Sequence, residues 1–282
     1  MLKKSLKIYL LVIIIFLAYL ASGLIPGFFL AKGYDIERRT EMQIIAHRGG
    51  ESLGSENTLA CIRHGLAGGA DMIEIDIHLT KDDYIVICHD TSVNRTTNGS
   101  GEIRDMTLAE LRQLRIVDNA GNLTDELIPT LTEVLDLVKG QAKLLVEIKQ
   151  AGNRYDGLEQ LLINQLEELG DYSWVVIQSF NDSVLEKIHE LNPEQRLEKL
   201  FVFKVPGLPV IFDVSFNSFS YEKYSYITSF NINYTSVTVQ LVEEIHAQGK
   251  EIKIWTVRDP DSTPNLPVDG VITSNPELWT KK

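Results

Sequence analysis

From Gln43 onward, short apolar, β-branched runs alternate with longer stretches whose apolar positions recur every three to four residues. The first pattern suits strands and the second amphipathic helices. It predicts strands at Gln43–His47, Met72–Ile77, Tyr84–His89, Leu144–Lys149, Trp174–Ser179, Leu200–Val205, Ser229–Asn233, Glu251–Val257 and Gly270–Thr273. It predicts helices at Thr58–Gly68, Thr107–Leu114, Leu131–Val138, Leu158–Leu169, Ser183–Leu191 and Val237–Gln248. Thr107 with Glu110, and Thr130 with Glu133, have the spacing of capping boxes, and Gly249 fits a helix stop. Alternation of strand and helix builds a parallel sheet with helices outside it. Nine strand candidates are one too many for an eight-stranded barrel. The polar link Lys81-Asp82-Asp83 is too short for a helical crossover, so Tyr84–His89 is expected to fold back antiparallel on Met72–Ile77. The segment from Thr91 to Asn122, rich in Asn, Thr and Gly, then reads as an insertion.

The first forty residues follow a different pattern. Lys3, Lys4 and Lys7 precede a run from Ile8 to Leu30 that contains no charged residue. About twenty apolar residues span a bilayer as a helix, and lysines in front of it keep the N-terminus cytoplasmic. The expectation is a single-pass cell-membrane protein with its catalytic domain on the extracellular side. Residues 1–40 would supply the cytoplasmic tip, the transmembrane anchor and the linker. A cleaved signal peptide fits less well. Ala18 and Ala21 do not form an A-x-A site, and the run exceeds the usual apolar region of about 7–15 residues.

Charge separates the same two parts. Residues 1–40 carry six Lys/Arg and two Asp/Glu, and the remainder carries 21 basic and 37 acidic residues, a net charge of −16. A domain that acidic is a poor nucleic-acid binder. The only cysteines, Cys61 and Cys88, are expected to be two buried thiols.

Candidate chemistry concentrates between His47 and Asp90. Glu74 and Asp76 are two residues apart, flanked by Ile73, Ile75 and Ile77. On a strand, both carboxylates therefore share one face and the isoleucines the other. Glu147 and Lys149 repeat the arrangement on the next strand, with Leu145 on their face. Carboxylates buried together are costly unless a cation joins them, and three carboxylates form a hard oxygen site suited to one divalent cation, Mg²⁺ or Ca²⁺. A salt-bridged barrel interior is the competing explanation. His47 ends the first strand beside Arg48, and His89 ends the hairpin strand beside Asp90. Strand C-termini form the active face of such barrels. Histidine exchanges protons near neutral pH, and the arginine fork matches a phosphate. His64, His189 and His246 fall on helices, and His78 is expected to face away from the barrel mouth.

The set AHRGG (Ala46–Gly50), SENT (Ser55–Thr58), EID (Glu74–Asp76) and CHD (Cys88–Asp90), followed by TTNGSGEIRDMTLAEL, VEIK, QSF, WTV and DGVIT, resembles the glycerophosphodiester phosphodiesterases, specifically a membrane-anchored bacterial type. The resemblance covers about residues 43–278. It implies a TIM (β/α)8 barrel over residues 41–282 with a small insertion after the second strand, here about 84–125. It also implies metal-dependent hydrolysis of glycerophosphodiesters to glycerol 3-phosphate and an alcohol. Residue by residue, Glu74, Asp76 and Glu147 match the metal ligands, and His47 and His89 the general acid–base pair. Arg48 and Lys149 match phosphate contacts, Asn57 the Asn of the Glu-Asn motif, and Trp255 an aromatic near the glycerol or leaving group. Ser274 and Arg258 depart from the Asp and Asn usual at their positions, which leaves the leaving group open. Lysophospholipids and glycerol-phosphate wall polymers are alternative substrates. A non-catalytic binding barrel would usually have lost a histidine or a ligand, and here the full set stands; a glycosidase built on two carboxylates gives no role to the histidines, arginine and lysine together.

Overall fold

The computed structural model describes residues 42–149, 155–204, 209–213, 216–262 and 266–279. Eight strands run parallel and close on themselves: β1 (Gln43–Ala46), β2 (Met72–Leu79), β4 (Lys143–Ile148), β5 (Val175–Ser179), β6 (Leu197–Phe201), β10 (Ser229–Asn233), β11 (Glu251–Val257) and β12 (Gly270–Thr273). Closure is made by β1, which pairs with β12 on one side and β2 on the other. The fold is a TIM barrel. The short strand β3 (Ile85–Ile87) lies antiparallel to β2, with Ile77 opposite Ile87, as the polar Lys81–Asp83 link requires.

Helices α1 (Leu59–Ala67), α2 (Leu108–Leu111), α3 (Leu131–Val138), α4 (Leu158–Glu167), α5 (Asp182–Leu191) and α6 (Val239–His246) lie where the periodicity places them. Thr107–Glu110 and Thr130–Glu133 both close reciprocal capping boxes, satisfying amide donors that the first helical turn leaves orphaned. Apolar residues divide by strand phase. On β2, Ile73, Ile75 and Ile77 join the large core between sheet and helices, whereas Met72 joins Ile45, Leu145, Val176 and Ile272 inside the barrel. Between β3 and α3, Val86, Cys88, Val93, Ile103, Leu111, Ile116 and Ile128 form a small core of their own. Cys61 and Cys88 are free and buried, and burial pushes each thiol up to about 12.

Two expectations are corrected. The strand read at Leu200–Val205 begins earlier, at Leu197, and the chain then enters a second, three-stranded antiparallel sheet: β7 (Phe203–Lys204), β8 (Val210–Phe212) and β9 (Phe216–Ser218). Charges on both faces of β6 hid its start. Glu198 points into the barrel, where it pairs with Lys253 of β11. Lys199 points outward and is fully buried, with Nζ 2.9 Å from Asp182 Oδ1 on α5 and 2.7 Å from Asp213 Oδ2 beside β8. That buried ion cluster fastens the second sheet to the helix layer. The expected single-pass membrane localisation is also withdrawn. Among the described residues no helix is long and apolar enough to cross a membrane. The Ile8–Leu30 run on which that expectation rested lies outside the described residues.

Candidate active site

Local backbone geometry builds the first part of the site. Arg48, Gly49 and Gly50 all have positive φ (51°, 85° and 98°), so the chain turns sharply at the end of β1. A Cβ at Gly49 would lie 3.0 Å from the Ile62 amide nitrogen, and one at Gly65 would lie 2.4 Å from the Gly49 carbonyl oxygen. Glycine at both positions lets this turn sit against α1. The turn aims the Arg48 N–H at Glu74 Oε2, 2.8 Å away.

Glu74, Asp76 and Glu147 converge as the strand phase requires. Parallel register sets Asp76 beside Glu147, and one oxygen from each of the three lies within 4.8 Å of the others. All three are buried. Burial first, then the neighbouring Asp76 and Glu147 carboxylates, push Glu74 well above the usual carboxylate range. Asp76 goes the other way. Burial opposes its ionisation, but Lys149, His89 and Arg48 together hold it below the usual range. Lys149 Nζ lies 2.6 Å from Glu147 Oε1 and 3.1 Å from Asp76 Oδ1, and these carboxylates overcome burial to raise its pKa. Asn57 fixes Asp76 from the side: its Nδ2 donates to Asp76 Oδ2 at 2.8 Å, and its Oδ1 accepts from the Asp76 amide at 3.3 Å.

Two buried polar atoms here make ion-pair contacts but no well-aligned hydrogen bond: Asp76 Oδ1, 3.1 Å from Lys149 Nζ, and Arg48 Nε, 3.7 Å from Asp76 Oδ2. Buried polar atoms are rarely left so. An acceptor with spare capacity in a three-carboxylate cluster suits a hard divalent cation, and a guanidinium N–H without a close acceptor suits a phosphate oxygen.

Both histidines are oriented through Nδ1. His47 Nδ1 lies 3.0 Å from Glu51 Oε1, and His89 Nδ1 lies 2.8 Å from Asp90 Oδ1. Despite partial burial, the bonds from His47 and Ser274 lower Glu51 to about 2. Asp90 is held below the usual range chiefly by Arg95. A carboxylate on Nδ1 makes that nitrogen the donor and leaves Nε2 as the exchangeable position. Ser274, at the departure from the usual Asp, donates to the same Glu51 oxygen at 2.6 Å. Trp255 borders the interior cluster half-buried, with Nε1 donating to the Asn231 carbonyl at 2.9 Å and its ring edge-on to Phe180.

Sequence reading missed several contributors. Glu51 stands one helical turn from His47, a spacing that could have revealed it. Arg95 lies in the segment after β3 and reaches back to Glu56 and Asp90. His78 was expected to face away, but it shares the parity of Glu74 and Asp76. Its buried ring bonds Tyr155 Oη at 2.7 Å and the His89 carbonyl at 3.2 Å, directly behind the catalytic candidate His89. Inside the barrel a buried polar chain runs from Lys253 through Glu198, Asn231 and Gln178 toward Glu74. His64, His189 and His246 lie on helices and meet the Leu53 carbonyl, the Tyr226 ring and Asp269 respectively.

Comparison with known proteins identifies the family. The sequence profile of the glycerophosphoryl diester phosphodiesterase family matches residues 47–278. The glycerophosphodiester phosphodiesterase of Caldanaerobacter subterraneus is 34% identical over 239 residues, covering 83% of this chain and 94% of that protein. The Bacillus altitudinis glycerophosphodiester phosphodiesterase is 32% identical over 248 residues, covering 85% and 97%. An Oleispira antarctica phosphodiesterase, solved in complex with the product sn-glycerol-3-phosphate, superposes with a TM-score of 0.70 at 27% identity, over 84% of this chain and 95% of that one. A glycerophosphodiester phosphodiesterase from Agrobacterium tumefaciens shares the fold with a TM-score of 0.67 at 21% identity, over 84% and 99%. On the match of residues 47–278 and on relatives of this identity and coverage, the chain belongs to the glycerophosphoryl diester phosphodiesterase family, whose members are phosphoric diester hydrolases.

Proposed function

We propose that this protein hydrolyses glycerophosphodiesters to glycerol 3-phosphate and an alcohol, with residues 41–282 as the catalytic unit and about 84–125 as an insertion in it. The carrying observation is the pairing of two carboxylate-oriented histidines with a buried carboxylate triad that has Arg48 and Lys149 beside it. A product complex of the Oleispira relative supports the substrate class. Glu74, Asp76 and Glu147 would hold one divalent cation, Mg²⁺ or Ca²⁺. When bound, such an ion polarises a phosphoryl oxygen and neutralises part of the cluster's charge.

The chain's own residues account for the remaining steps. Arg48 presents its guanidinium, whose Nε–H makes no close hydrogen bond, to a phosphoryl oxygen. Lys149, at present a counter-ion to Asp76 and Glu147, supplies a second cation against the charge that builds on phosphorus in the transition state. One of His47 and His89 takes the proton from the attacking hydroxyl as its oxygen bonds to phosphorus. The other gives a proton to the alcohol oxygen as its bond to phosphorus breaks. Trp255 forms an apolar wall for the glycerol or the leaving group.

The test is hydrolysis of glycerophosphocholine, a lysophospholipid and a polyglycerol phosphate by the full chain, with Mg²⁺, Ca²⁺ or chelator. Metal-dependent release of glycerol 3-phosphate is expected from at least the first. His47→Ala and His89→Ala should each lower the rate by about 10²–10⁴-fold. Absence of metal-dependent release from all three substrates, or full activity in either variant, would refute the reading.

A further inference from the structure

The geometry points to Arg95 as a positioning residue that locks His89 and Arg48 into one unit. The proposal rests on the roles given above to those two residues, but its structural half can be measured without them. Arg95 lies in the segment after β3, outside the barrel strands. Its Nε donates to Asp90 Oδ2 at 2.7 Å, and one terminal nitrogen reaches Asp90 Oδ1 at 3.1 Å. The same nitrogen donates to Glu56 Oε1 at 2.7 Å, and the other to Glu56 Oε2 at 2.8 Å. One guanidinium thus makes a two-point contact with each of two carboxylates, which only the arginine fork allows.

Each carboxylate has a second partner. Asp90 Oδ1 also holds His89 Nδ1 at 2.8 Å, and Glu56 Oε1 also accepts from Arg48 at 3.0 Å. Arg95 thus sits behind both the proton-transferring ring and the phosphate-directed arginine. Ion pairs at the surface usually contribute little to stability, and the Arg95 side chain is 47% exposed. Its four hydrogen bonds all end on carboxylates whose remaining contacts lead into the site. Their effect should therefore fall on catalysis rather than on folding. Small displacements of reacting groups are enough to cost large factors in rate.

Arg95→Ala should lower kcat/KM for glycerophosphocholine about 10- to 100-fold with little change in Tm. Arg104→Ala, in the same segment, should leave both unchanged. Arg95→Lys keeps the charge but not the fork, and its rate should stay closer to that of Arg95→Ala than to native. Effects should be non-additive: in an Asp90→Ala, Glu56→Gln background, Arg95→Ala should cost nothing further. The structural half is read by ¹⁵N NMR of the histidine rings, assigned with His89→Gln. In Arg95→Ala the His89 Nδ1–H signal should broaden or shift, while the His246 ring should not change. Unchanged His89 signals, or a rate loss fully additive with Asp90→Ala and Glu56→Gln, would overturn the proposal. If native protein hydrolyses no diester but His89 still responds to Arg95→Ala, the clasp stands and the functional reading fails.

Discussion

Glu74→Gln should make the cation-free protein more stable and the cation-loaded protein less so. Glu74 lies within 4.8 Å of both Asp76 and Glu147, atom to atom, and all three are buried. At an effective dielectric constant of about 20, two unit charges that far apart repel by about 3.5 kcal/mol. Part of this is already relieved. Lys149 lies against the other two carboxylates, and Glu74 escapes by retaining a proton above the usual carboxylate range. A glutamine keeps an oxygen for the Arg48 N–H and turns an amide donor toward its anionic neighbours. A residual gain of about 1–2 kcal/mol is expected, or about 2–8 °C in Tm for a domain of this size.

A divalent cation reverses the order. At a hundredfold excess over its Kd, a ligand stabilises by about 2.7 kcal/mol; native protein should gain that and Glu74→Gln only a fraction. The pH dependence has a definite sign. Because the Glu74 pKa is raised on folding, the cation-free native state binds a proton that the unfolded chain releases. Its stability therefore falls as pH rises from the ordinary value of 4.5 toward the raised one, and Glu74→Gln should remove that slope. Asp76 shifts downward, so its contribution persists above its ordinary value of 3.8 and disappears only in acid, in both proteins. Calorimetric melting of the two proteins in chelator, Mg²⁺ and Ca²⁺, at pH values from acid below the ordinary Asp76 value of 3.8 up to the alkaline range, reads every part of this. Destabilisation of Glu74→Gln in chelator, together with equal cation shifts in both proteins, would refute the reasoning.

Three further outcomes follow from particular contacts. Lys253→Met leaves the fully buried Glu198 without its cation, which should cost about 3–5 kcal/mol in urea unfolding; adding Glu198→Gln, whose amide can still meet Asn231, should recover most of it. His78 is depressed to about 4 by burial, so the protein should lose about 3 kcal/mol as pH falls from 6.5 to 4; His78→Gln should flatten that limb of a stability–pH curve, and an unchanged curve would place the acid sensitivity elsewhere. Arg48→Lys loses the fork and the Nε–H, so kcat/KM should drop about 10- to 100-fold with the melting temperature nearly unchanged; steady-state kinetics on glycerophosphocholine checks this.

What the sequence revealed, and what it concealed, follows from periodicity. Glu74, Asp76 and Glu147 were legible because each lies on a strand with apolar neighbours, where period two leaves one direction for the charges, and Lys149 follows directly on the end of β4. The fold-back of β3 was legible because three polar residues cannot carry a crossover. His78 has that same parity, and its ring lies behind His89. Glu198 and Lys199 mark a true limit. Both are buried, on opposite faces of β6, and each is compensated by partners far along the chain, Lys253 in one case, Asp182 and Asp213 in the other. A pattern that assumes charges face water reads such a strand as surface.

The same limit shaped the reading of the site. The residues that would touch substrate are encoded locally, in HR, EID, HD and VEIK. Glu51 and Asp90, which orient the histidines, are local too, but the groups behind them are not: Ser274 meets Glu51 across 223 residues, Arg95 meets Glu56 across 39, and Gln178 approaches Glu74 across 104. A motif records which groups do the chemistry, whereas orientation depends on which strand ends the barrel brings together. Substitutions at Glu51, Arg95 and Ser274 should accordingly change rates while the reacting groups all remain in place.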